Sequence, residues 1–147
     1  MKRILFLLTI SMSVLIASAQ NIDNIKTSLM LNQLEKAKTD FDKAITNAKF
    51  AGKAEAYILK TAIYAGLSMA EDKKNTPAAE QLANEAEAAF SKYKEMEPSL
   101  ALMSDPIYQN GPINLYSSFY TAGYTDYSNK KWQTGLVKLK KAIEFSD

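Results

Sequence analysis

A small residue, a large apolar residue four positions on, and a third packing residue three beyond that recur three times along this chain. The copies are Ala37-x3-Phe41-x2-Ala44, Ala86-x3-Phe90-x2-Tyr93 and Gly135-x3-Leu139-x2-Ala142, so both steps are 49 residues. Spacings of four and three put the members of each copy on one face of an α-helix. A small residue beside a large one lets a neighbouring helix approach closely and then interlock. Upstream of the second copy, Tyr57-x3-Thr61-x2-Tyr64 places an aromatic, a small residue and an aromatic on a preceding helix, and Phe119-x3-Gly123 repeats that spacing upstream of the third. The chain reads as helix pairs used about three times, with no alternating strand pattern of useful length. The expected fold class is all-α.

Punctuation agrees with this. Five Gly and four Pro fall at breaks between runs of Ala, Leu, Lys and Glu, which favour helix. One-sided stripes run through Ala37, Phe41, Ala44, Ile45 and Ala48, and through Ala54, Tyr57, Ile58, Thr61, Ala62, Tyr64 and Ala65. Thr76 or Asn75 can cap a helix whose first turn holds Pro77, and Pro98 cannot continue it. The stretch NGPIN, from Asn110 to Asn114, reads as a turn that opens the next helix at about Pro112.

At these residues the chain resembles the tetratricopeptide repeat (TPR) family. That family's signature is a helix bearing W-x2-L-G-x2-Y, then a helix with A-x3-F, then Pro. LNQLEKAKTDFDKAI from Leu31 is similar to its turn and second helix. AYILKTAIYAG from Ala56 is similar to its first helix, with Tyr57, Thr61 and Tyr64 on signature positions, and Pro98 matches the closing proline. The family period is 34 residues rather than 49, the surplus falling around EDKKNTPAAEQ and PSLALMSDPIYQN. Thr61 and Ile25 stand where the signature has Gly. The resemblance implies a short right-handed α-solenoid of about three antiparallel helix pairs, with a concave surface lined by the first helix of each. It places Ile58, Ala62 and Ala65 on the groove side of the second unit, and Tyr120, Tyr124 and Tyr127 there in the third. It gives packing roles to Ala37, Phe41, Ala44, Tyr57, Thr61, Tyr64, Ala86, Phe90, Pro98, Phe119, Gly123, Gly135, Leu139 and Ala142. A HEAT-like array, with a period of about 40–47 residues, and an irregular helical bundle stay open as alternatives.

The first residues, MKRILFLLTISMSVLIASAQ, join two cations to an apolar run from Ile4 to Ala17 and then Ala17-Ser18-Ala19. That is the layout of a secretory signal peptide, with cleavage expected before Gln20. The run falls short of the roughly 20 residues that a membrane span needs. The expectation is a leader over residues 1–19 and a repeat domain over 20–147, exported to a bacterial envelope as a periplasmic or secreted protein with no span left after cleavage. Losing Lys2 and Arg3 reduces the 18 basic residues to 16, against 16 acidic ones.

The remaining chain is neutral and has no Arg, His or Cys. It therefore lacks the usual ligands for zinc, haem and iron–sulfur centres and the usual thiol nucleophile. It also lacks the basic excess that nucleic acid calls for. Ser128-x-x-Lys131 matches a motif of penicillin-recognising enzymes whose companion motifs are missing. The carboxylate pairs Asp40/Asp42, Glu85/Glu87 and Glu95/Glu97 diverge by about 200° on a helix and cannot converge on one atom. No enzyme activity, cofactor or metal is expected. Lys138, Lys140 and Lys141 complement the dipole of the last helix.

Tyr116, Tyr120, Tyr124 and Tyr127 fall at i, i+4, i+8 and i+11, one helical face of phenols. Tyrosine gives a large contact area with few rotors to freeze, plus a hydroxyl, so it suits binding surfaces. Core packing is the competing use of such a stripe. The expected function is that of a non-catalytic scaffold holding a peptide or protein partner on this tyrosine-lined surface. The alternative is a closed helical bundle around a small apolar ligand or lipid. Ile143 and Phe145, at the end of the last helix, call for cover by a second copy or by a docked partner.

Overall fold

A computed structural model describes residues 22–70 and 72–146. The expected leader lies outside the described residues. All regular structure among them is helical, and the chain divides into two compact units after Gly52.

The first unit holds α1 over residues 22–30, α2 (Leu34–Ala44) and the single turn α3 (Ala48–Ala51). Helix α1 is closed by Asn32, whose φ of 53° takes it into the left-handed region. There the Gln33 N–H donates to the Ser28 carbonyl at 2.8 Å and the Asn32 N–H to that of Leu29 at 3.0 Å. This pair of bonds ties off the carbonyls that a helix end leaves free, and Asn tolerates the conformation. Ala37, Phe41 and Ala44 form the buried stripe of α2, and Phe41 meets Phe50 of α3 edge to face at 6.0 Å.

The second unit holds α4 (Ala54–Ser68), α5 (Pro77–Met96), a 3-10 turn (Ala101–Ser104), α6 (Pro106–Ser128) and α7 (Trp132–Ile143). Helix α4 is buried without a break from Thr61 to Ser68, as an apolar run with no polar face must be. Thr61 of α4 lies against Ala86 of α5, and Lys60 pairs with Glu85 at 3.2 Å. Helix α5 starts as the sequence implies. Thr76 Oγ1 accepts from the Ala79 N–H at 3.2 Å, Pro77 occupies the first turn, and the helix stops at Met96, two residues before Pro98.

Helix α6 does not start at Pro112. It begins at Pro106, with Asp105 Oδ1 accepting from the Ile107 N–H at 3.0 Å. Asp-Pro is itself a cap followed by a first-turn residue, so the helix runs straight through NGPIN. Pro112 has no N–H to offer the Tyr108 carbonyl, which normally costs a helix interior about 3 kcal/mol. Packing explains why this is tolerated. A Cβ on Gly111 would come within 2.9 Å of Thr61 Cγ2 and 3.2 Å of the Ala62 nitrogen, so the glycine lets α6 rest on α4. One turn earlier, the Tyr108 hydroxyl donates to Glu55 Oε1 at 2.7 Å.

The pair α6/α7 closes on two glycines. A Cβ on Gly135 would lie 3.0 Å from both the Gly123 carbonyl oxygen and the Tyr127 nitrogen. Phe145 then folds back, stacking on Phe119 at 6.0 Å with the planes 12° apart, and contacting Phe90 at 6.0 Å. Phe145 thus has its cover within the unit, whereas Ile143 remains exposed. The contacts 61–86 and 123–135 come from antiparallel pairs. The contacts 55–108 and 62–111, with those of Glu80 to Lys138 and Glu87 to Lys141, stack one pair on the other in parallel.

Candidate functional site

The side of α6 turned away from α4 carries Ile113, Tyr116, Tyr120, Tyr124 and Tyr127. Spacings of three and four keep them in one line, about 21 Å long at 1.5 Å per residue. Tyr116 is 37% exposed, Tyr120 48%, Tyr124 59% and Tyr127 53%. The rings lie in file. Tyr116 and Tyr120 are 5.8 Å apart with planes 15° from parallel, and Tyr120 and Tyr124 are 6.4 Å apart at 12°. Tyr127 meets Trp132 of α7 edge to face at 4.8 Å. Between Pro106 and Thr125 the helix has no charged residue.

Helix α7 extends the line. Gly135, Leu139 and Ala142 point toward α6, while Lys138 and Lys141 point toward α5, where they meet Glu80 at 3.3 Å and Glu87 at 2.5 Å. The side left over bears Trp132, Leu136 and Ile143, all more than half exposed. At roughly 200 Å² per aromatic side chain, the four tyrosines and Trp132 leave about 500 Å² of aromatic surface in water. That alone equals the largest apolar patch of an ordinary monomer, roughly 300–600 Å².

A second feature lies on the other side of α6. A cleft of about 410 Å³ is bordered by Lys74, Thr76, Glu80, Asp126, Lys131 and Lys138. Asp126 Oδ2 accepts from Lys138 at 2.9 Å, and Lys131 stands 3.9 Å from the same carboxylate. The Lys138 hydrogen bond holds the Asp126 carboxyl below the usual carboxylate range. Burial works against the Lys138 charge, but Asp126 and Glu80 outweigh it and raise its pKa. Through Lys138 the cluster joins the start of α5 to α6 and α7. Lys138 and Lys141, read from the sequence as complements to a helix dipole, therefore act as cross-helix bridges.

The residues singled out in the sequence fall into three places. Ala37, Phe41, Ala44, Thr61, Tyr64, Ala86, Phe90, Phe119, Gly123, Gly135 and Ala142 are buried, Tyr57 and Leu139 are half-buried, and Pro98 is exposed just past α5. Tyr120, Tyr124 and Tyr127 lie on the exposed ridge. Ile58, Ala62 and Ala65 do not line a groove: they are buried, and Ala62 sits under Gly111 of α6. The stacked second pair occupies the side that the repeat register had left open. Ile113, Trp132 and Leu136 were missed, although their helical spacing to the tyrosines and to one another is plain in the sequence. The carboxylate pairs diverge as expected: Asp40 binds Lys36, Asp42 binds Lys38, and Glu85 and Glu87 bind separate lysines.

No helix among the described residues is long and apolar enough to cross a membrane. The chain has no significant match to a protein-family model, a curated protein or a solved structure.

Proposed function

We propose that this chain is a non-catalytic, exported binding module built from TPR-like helix pairs, which holds a peptide or protein partner on the α6–α7 ridge. The observation that carries it is the ridge itself: a file of half-exposed aromatic rings on a helix that has no charged residue from Pro106 to Thr125. Keeping so much aromatic surface in water forgoes about 25 cal/mol for every Å² left unburied, which a partner would recover. Aromatic anchors of this kind are enriched at the centres of protein interfaces. The leader expected over residues 1–19 supplies the compartment.

The test is retention of a partner by the tagged full-length chain and by a Tyr120→Ser, Tyr124→Ser double variant. Both positions are about half exposed, so the variant keeps its helical circular dichroism. A discrete partner held by the natural chain and reduced at least tenfold with the variant is expected. Equal retention by both would remove the ridge from the binding function.

A further inference from the structure

The two helix pairs of the second unit share one register. Thr61 of α4 meets Ala86 of α5, its Oγ1 lying 3.5 Å from the Ala86 carbonyl oxygen. Gly123 of α6 meets Gly135 of α7, where a Cβ on either would fall within 3.1 Å of the other's carbonyl oxygen. Matching Thr61 to Gly123 carries Ile58, Ala62 and Ala65 onto Tyr120, Tyr124 and Tyr127. In the first pair those positions are buried, and at Ala62 the covering element is α6, through Gly111. In the second pair the same positions stand in water. The second helices repeat the relation. Glu87 of α5 is met by Lys141 of α7 at 2.5 Å, whereas Leu136, its counterpart 49 residues on, is 55% exposed.

We infer that the ridge is a helix-docking face, and that its occupant is an α-helical hairpin of a partner protein. The first helix of that hairpin lies along the ridge on the side of α6 away from α4, and the second runs beside α7. This role presupposes the binding function proposed above and specifies the form of the partner. Three observations converge on it. The ridge continues an interface already formed between α4 and α6. Its aromatic surface of about 500 Å², enlarged by Ile113, Leu136 and Ile143, approaches the roughly 800 Å² that each partner gives to a stable interface. The charge pattern also selects the partner: α6 has no charge to match from Pro106 to Thr125, so the docked face is apolar. Because Tyr120, Tyr124 and Tyr127 stand where α4 has Ile58, Ala62 and Ala65, the occupant packs on the rings and not on the α6 backbone.

The experiment places p-benzoylphenylalanine singly at Ile113, Tyr127 and Leu136 of the full chain, irradiates the cells that make it, and maps the attachment sites on the captured protein. Lys92, on the exposed side of α5, is the control. The three ridge positions are more than half exposed, and circular dichroism confirms each variant. A docked helix gives sites three or four residues apart, with those from Ile113 and Tyr127 separated by more than about ten residues, because the ridge spans about 21 Å at 1.5 Å per residue. An extended peptide covers the same length in about six or seven residues at 3.3 Å each. That narrower spacing would overturn the helical form while leaving the binding function standing. An adduct of twice the chain's mass would replace the partner protein with a second copy. No adduct from any ridge position in a folded variant would overturn both the docking face and the binding function.

Discussion

Substituting Gly135→Ala tests whether α6 and α7 touch along their backbones. Two contributions of opposite sign compete. Alanine in a helix interior is about 1 kcal/mol better than glycine, so a free-standing α7 would gain that much. Against this, the new methyl would sit 3.0 Å from the Gly123 carbonyl oxygen, 3.0 Å from the Tyr127 nitrogen and 3.4 Å from Tyr127 Cα. The first two contacts, to an oxygen and a nitrogen, are tighter than a methyl group ordinarily makes. All three atoms are backbone, so no side chain can swing aside. The helices must separate by a few tenths of an ångström, which forfeits part of the dispersion attraction along the contact. Forced overpacking of this kind costs about 1–3 kcal/mol. The net expectation is a loss of up to about 2 kcal/mol, centred near 1. Urea unfolding followed by tryptophan fluorescence reads it directly, because the single Trp is Trp132 at the start of α7. A gain near 1 kcal/mol would mean that only propensity acts there, and would refute the close α6–α7 crossing.

Other perturbations follow the same logic. The Tyr93 side chain is fully buried, and its hydroxyl lies toward the Leu102 and Met103 backbone without a hydrogen bond of good geometry. Tyr93→Phe removes an unsatisfied group that costs about 1–3 kcal/mol; a gain of about 1 kcal/mol in urea unfolding is expected, and a loss would mean that the hydroxyl is bonded. Lys130 closes α6 with a φ of 63°, a conformation glycine adopts at no steric cost, so Lys130→Gly should raise stability by about 1 kcal/mol. The Asp126–Lys138 pair sets a pH window. Asp126 is held below its unfolded value, so its contribution is full above about pH 4 and is lost as pH falls through the folded pKa. Lys138 is held above its unfolded value, so its share persists to about pH 10 and is lost beyond. Melting temperatures of the natural chain and of Asp126→Asn should therefore differ between these limits and converge near pH 2–3. A difference that persists unchanged at pH 2 would refute the assignment.

Local signals made the fold legible. Small residues at fixed offsets from large ones marked where helices cross, and Thr61 with Ala86 and Gly123 with Gly135 do meet. Thr76-Pro77 gave a helix start because the cap and the first turn are adjacent in sequence. The start of α6 was misread because Gly111-Pro112 has the composition of a turn. Only the contact with Thr61 and Ala62, 50 residues away, shows why a glycine sits inside that helix. The tyrosine line could be placed on one helical face, but no local rule says which faces a stacked pair will cover. Register made Ile58, Ala62 and Ala65 equivalent to the tyrosines, and stacking buried one set and not the other. The bridges from Lys138 to Glu80 and from Lys141 to Glu87 join residues more than 50 positions apart, beyond the reach of helix-dipole reasoning.

The central claim is that the tyrosine ridge is covered in the cell, and brief hydroxyl-radical labelling measures it most directly. In the purified chain, Tyr116, Tyr120, Tyr124 and Tyr127 should label readily, while the buried Tyr93 and Tyr108 stay protected. In intact cells the four ridge tyrosines should lose most of their label, with Tyr93 and Tyr108 unchanged. Equal labelling of the ridge in both states would contradict it.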